Sequence, residues 1–126
     1  MEIGKICPTE NLLSKYHIFT KTPLSTNTEY NFITENFTDF AGNEIEDSRH
    51  VFAKTDSVLM PKSIIVSEIL FNPKSGFSDF VEIYNNSDSY FDLADLFISN
   101  GDSYVRITEN YRLFPPKAYV VISPDA

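Results

Sequence analysis

Two acids stand in the middle of short apolar runs: Glu68 in IIVSEILF, residues 64–71, and Glu82 in FVEIY, residues 80–84. Carboxylates in neighbouring strands are what a general acid and base, or a metal pair, would use. Neither has a histidine near it in sequence. A strand with one regular acid more often spends it on a solvent face, or on neighbouring backbone and Asn groups, and that structural role is the expectation for both. Asp88, Asp92, Asp95, Asn100 and Asp102 offer oxygen ligands, of which calcium takes roughly six to eight. They form no D-x-D-x-D-G loop, and Asp and Asn at turns between strands need no metal, so solvated turn residues are expected. His17 and His50 are too distant to form a motif, and Cys7, followed by Pro8, reads as a free thiol. No nucleophile motif and no glycine-rich phosphate loop occurs. The expectation is no catalytic residue, no metal ligand and no cofactor.

Aromatic rings are the remaining candidates. Tyr84, Tyr90, Phe91, Tyr104 and Tyr111 fall near loop ends, where exposed rings stack on sugars. The competing use is core filling, which a chain with eleven Phe, seven Tyr and no Trp needs and which is preferred here.

The elements that must position these residues read as strands. The runs at 64–71 and 80–84 are β-branched or aromatic, too short for helices, and closed by Asn, Pro or Ser. YHIFT (16–20), EYNFIT (29–34), RHVFAKT (49–55), YVRIT (104–108) and AYVVIS (118–123) follow the same logic, and FDLADLFIS (91–99) adds a further apolar segment. In EYNFIT, Tyr30, Phe32 and Thr34 share one face, and Asn31 and Ile33 the other. NFTDFAGNEI (36–45) is a turn, with Gly42 free to take positive φ and Asp39 and Asn43 able to bond nearby main-chain groups. An all-β fold is predicted for these 126 residues, enough for about one domain.

The net charge of −8 divides into about −3 before Ile64 and −5 from Ile64 onward, with no basic stripe. Nucleic acid and anionic membrane are therefore poor partners. No segment approaches the roughly 20 apolar residues of a membrane span. The N-terminal MEIGKICPTENLL lacks the basic and apolar regions of a secretory signal.

Two resemblances organise the chain. Leu24, Thr28, Tyr30, Asp39, Ala41, Gly42 and Asn43 resemble the "L-x-x-x-T-x-Y" and "D-x-A-G-N" elements in the C-terminal half of bacterial surface-layer-type Ig-like domains, over about 16–55. From Ile64 the chain resembles the N-terminal part of a lamin-tail domain, an Ig-like β-sandwich. The residues are Ser67-Glu68-Ile69, the turn Asn72-Pro73, the signature Asp79 to Asn85 containing Glu82, Leu93 with Ile98-Ser99-Asn100, and Pro116 to Ile122. Phe97 stands where the family often has Trp, and is expected to fill the core in its place. The resemblances imply two incomplete tandem Ig-like units, 1–55 and 64–126, joined by a linker at 56–63. The earlier strands of the first unit are expected to be absent. Alone, such half-modules should leave unpaired edges and be poorly stable or prone to associate.

By analogy, the resemblances imply a non-enzymatic structural or protein-interaction module of a larger bacterial secreted or cell-surface protein, extracellular or envelope-associated. Its partner would be a protein or the cell envelope. A carbohydrate-binding accessory module is the alternative and needs two rings exposed on one face. An enzyme would need a concave pocket collecting Glu68 and Glu82. A nuclear lamin is not expected, because no heptad rod precedes the tail-like unit and the Ig-like unit before it resembles the bacterial type.

Overall fold

Alternating Ile, Val, Phe and Tyr broken by Pro, Gly and Asn dictate short strands, and the computed structural model is, over its described residues, all-β apart from one 3₁₀ turn. It describes residues 1–9, 16–39, 41–56 and 58–124, so Phe40 of the D-x-A-G-N turn, Ser57 of the expected linker and Ala126 lie outside the described residues. None of the described helical segments is long and apolar enough to cross a membrane. The chain divides into two units, Met1–Lys54 and Thr55–Ala126.

In the first unit, β1 (Ile3–Pro8) pairs antiparallel with β2 (Tyr16–Thr20), and β3 (Glu29–Thr34) with β4 (Ser48–Ala53). Strand β1 lies in a stretch for which the sequence reading offers no strand. Gly4, Lys5 and Pro8 interrupt its apolar pattern, so its strand character comes from the partner that Tyr16–Thr20 supplies. Tyr30, Phe32 and Thr34 are the half-buried face of β3, and Tyr30 stacks on Phe52 with ring centroids 5.6 Å apart. Burial is thin: Ala53 is the one buried hydrophobic residue described in this unit.

The second unit contains a three-stranded antiparallel sheet ordered β11–β6–β5, from β5 (Ile64–Leu70), β6 (Phe80–Asn85) and β11 (Tyr119–Ile122). Two small pairs join it. β7 (Phe91–Asp92) pairs with β10 (Leu113–Phe114), and β8 (Phe97–Ser99) with β9 (Tyr104–Arg106). Between β7 and β8 the chain makes the 3₁₀ turn Leu93–Asp95, whose N-cap Asp92 accepts the Ala94 N–H at 3.0 Å. This turn aims Leu93 and Leu96 inward, where they meet Ile83, Phe91 and Phe114 in the core. Ile64, Val81, Ala118, Val120 and Ile122 line the core from the sheet.

Phe97 does not fill that core. It is 56 % exposed, with the Arg106 guanidinium 4.8 Å over its ring. Strand alternation after the 3₁₀ turn sends Leu96 inward and Phe97 out, so Leu96 and Phe114 do the filling.

The stretch 56–63 is bonded at both ends into the second unit. Asp56 N donates to Tyr90 O at 2.8 Å, and the buried Ser63 accepts the Asn86 N–H at 2.8 Å.

Candidate interaction surface

Opposed residues of an antiparallel pair project to the same face, so register assigns every side chain of the β11–β6–β5 sheet. Val81, Ile83 and Asn85 of β6 face the core, with Val120 and Ile122 beside them on β11. The other face carries Phe80, Glu82 and Tyr84. Opposite them lie Leu70, Glu68 and Ile65 on β5, and opposite Glu82 and Tyr84 lie Val121 and Tyr119 on β11. None of these eight belongs to the core cluster. Tyr119 is 60 % exposed and Val121 52 %, with Ile65 and Leu70 also exposed. The Tyr84 and Tyr119 rings touch, their centroids 4.6 Å apart.

At the centre of this apolar face the two glutamates are brought together. A β-bulge at Ser67 shifts the register between Val66 and Glu68, which sets Glu68 directly opposite Glu82. Ser67 Oγ donates to Glu82 Oε1 at 2.8 Å and lies 3.2 Å from Glu82 O. Among the described residues neither carboxylate has a Lys, Arg or His in an ion pair; the three ion pairs are Lys21–Glu2, Arg106–Glu109 and Lys117–Asp88. The glutamates lie on an open sheet face and line neither surface depression described for the chain.

The other motif residues hold turns. Asn72 takes a positive φ of 57°, and its N–H donates to Asp79 Oδ1 at 3.0 Å, which clasps the Asn72-Pro73 loop between β5 and β6. Pro73 is half-buried in this loop, whose Phe71 and Phe77 are both strongly exposed, a feature not foreseen from the sequence. Asn85, 0 % exposed, is the polar centre of the unit. Its Nδ2 is 2.8 Å from Ser89 O, 2.9 Å from Pro115 O and 3.2 Å from Phe114 O, while its Oδ1 accepts from Ser87 N and Oγ. Leu93 is in the core.

In the first unit, Asp39 Oδ1 accepts the N–H groups of Ala41 and Asn43, each at 2.8 Å, and Oδ2 accepts from Asn43 Nδ2 at 2.8 Å. The Asn43 side chain above all, then its backbone N–H, holds the Asp39 carboxyl below its ordinary range. Gly42 takes φ 84° within the same turn.

The oxygen-rich series is dispersed. Asp88 pairs with Lys117 at 3.1 Å, Asp92 caps the 3₁₀ turn and accepts the Arg112 N–H, and Asn100 accepts the Asp102 and Ser103 N–H groups. Among the described residues no three His, Cys, Asp or Glu converge as for a metal. Of the aromatic candidates, Phe91 is only 2 % exposed and is core, which removes it as a sugar platform, whereas Tyr104 and Tyr111 are exposed. No protein-family model, curated protein or solved structure matches this chain.

Proposed function

We propose that this chain is a non-enzymatic protein-interaction module of a larger secreted or cell-surface protein, with residues 64–126 of lamin-tail type and 16–55 of bacterial Ig-like type. The observation that carries the reading is the outer face of the β11–β6–β5 sheet, where Ile65, Leu70, Phe80, Tyr84, Tyr119 and Val121 form an apolar surface that the second unit's own core leaves uncovered. A contiguous apolar sheet face costs hydration free energy in isolation and gains it when another protein surface covers it. The lamin-tail assignment is supported by the motif residues: Asp79 bonds the Asn72 turn, and Asn85 ties β6 to the segments before β7 and after β10.

A second reading, carbohydrate binding, is favoured by the touching Tyr84 and Tyr119 rings on that face. One experiment separates the two. The purified chain is passed over immobilised cell-envelope protein and, separately, over envelope polysaccharide, alongside Tyr119→Ser/Val121→Ser. Retention by the protein matrix that the double variant loses, at unchanged circular dichroism, is the expected result. Retention by polysaccharide alone supports the carbohydrate reading. Retention of the folded chain by neither overturns the interaction reading.

A further inference from the structure

We infer that β5 accepts an added strand from a basic, amphipathic protein segment, whose Lys or Arg seats against Glu68 and Glu82. The inference rests on the interaction reading and names the chemistry of the partner. Among the described residues β5 is the edge of its sheet and pairs with β6 alone, so its outer backbone N–H and C=O groups form an open pairing template. All its side chains after Ile64 are exposed.

Charge selects the occupant. Glu68 and Glu82 are opposed in register, an arrangement that repels, and among the described residues no cation is paired with either. A strand laid beside β5 brings alternate side chains over this face, so a Lys or Arg at the central position relieves the repulsion while its neighbours two residues away cover Ile65 and Leu70. A second copy fits poorly. The chain carries −8, and edge-to-edge pairing of two β5 strands would gather the glutamate pairs of both copies. Nucleic acid is disfavoured by the same charge.

The bulge at Ser67 interrupts the edge, as bulges on edge strands do to limit indiscriminate pairing. It leaves two short arms, Ile64–Val66 and Glu68–Leu70, on either side of Ser67. Backbone pairing on these arms alone is weak, so recognition requires the charge as well as the edge.

The test uses the whole chain and a fluorescein-labelled nonapeptide of alternating Thr and Val with Lys at its central outward positions. Its controls are the same peptide with Glu in place of Lys, and a version N-methylated at alternate amides. Fluorescence anisotropy is expected to show binding of the Lys peptide, weakened about tenfold or more by Glu68→Gln/Glu82→Gln and lost on N-methylation and with the Glu peptide. The Gln variant removes a repulsion and should melt no lower than the parent chain, so lost binding would not reflect unfolding. Equal binding of the Lys and Glu peptides, or binding indifferent to the Gln variant or to N-methylation, overturns the inference and leaves the interaction reading standing. So does the absence of peptide binding by a chain that the envelope-protein matrix retains through Tyr119 and Val121. Light scattering that finds a dimer held through β5 overturns it in favour of a second copy. Failure on both the matrix and the peptide overturns the inference and the interaction reading together.

Discussion

Replacing Asn85 by aspartate changes one NH₂ group into oxygen inside a closed polar site, and the structure sets the consequence. Asn85 is fully buried, with Nδ2 facing three carbonyl oxygens at 2.8, 2.9 and 3.2 Å. An aspartate keeps the Oδ1 side, where Ser87 donates, but points an acceptor at three acceptors. Losing these bonds costs about 1 kcal/mol for each, and the stranded carbonyls add to that, so a loss of about 3–5 kcal/mol at pH 7 is expected. A unit of this size has roughly 0.05–0.15 kcal/mol per residue to lose, so the loss is a large fraction of its stability. The melting temperature would fall by about 12 °C or more. The sign of the pH dependence follows from the site. Only the protonated acid can donate to the carbonyls, so the folded-state pKa of the introduced carboxyl lies above its unfolded value of about 3.9. The penalty is therefore complete above the folded pKa and shrinks as pH falls through it. A rise of about two pH units would return about 2.2 kcal/mol by pH 4, and the full amount of about 2.7 kcal/mol only well below the unfolded value. Urea melts of Asn85→Asp, Asn85→Leu and the parent at pH 7 and pH 4 would check this. The aspartate variant should recover relative to the parent at pH 4, and the leucine variant should stay equally destabilised at both. An aspartate variant as stable as the parent at pH 7, or one whose deficit ignores pH, would refute the reasoning.

Three further outcomes follow from the same contacts. Leu93→Ala should destabilise the second unit by about 2–5 kcal/mol in urea, because Leu93 is 1 % exposed and packs in the five-residue core cluster. Asp92→Ala should cost about 1–2 kcal/mol, since one carboxylate oxygen accepts both the Ala94 and the Arg112 N–H at 3.0 Å. The Asp39 carboxyl is held below its ordinary 3.8, so its contribution to the turn is present above that value and is lost as pH falls through the lowered folded pKa. The amide NMR shifts of Ala41 and Asn43 should titrate below 3.8, and Asn43→Ala should move their inflection up toward it; an inflection at or above 3.8 in the parent chain would contradict the geometry.

Much of this was legible in the residues because strand formation is written in local chemistry. Runs such as EYNFIT and AYVVIS alternate or branch at Cβ, and Pro, Gly or Asn closes them, so the all-β class and the positions of β2, β3, β5, β6, β9 and β11 follow with no knowledge of neighbours. The turn roles of Asp39, Gly42 and Asn43 are local for the same reason. Strand β1 was not legible, since IGKICP has no clear alternation and becomes a strand through pairing with β2. Phe97 was misplaced because its facing depends on where the 3₁₀ turn at Leu93–Asp95 hands the chain over to β8. The exposed apolar face was equally hidden, because periodicity marks which residues share a face but not which face is covered.

The glutamates mark the boundary between the two kinds of information. Sequence alone determined that Glu68 and Glu82 each interrupt an apolar strand. By simple alternation Glu68 would share the face of Ile64 and Val66, which line or border the core side. The one extra residue at Ser67 reverses this, turning Glu68 to the outer face and setting it opposite Glu82. A bulge is a property of two paired strands, arising where one backbone must accommodate another, so only the tertiary structure decided that the two glutamates stand opposite each other in register, and on which side of the sheet they do so.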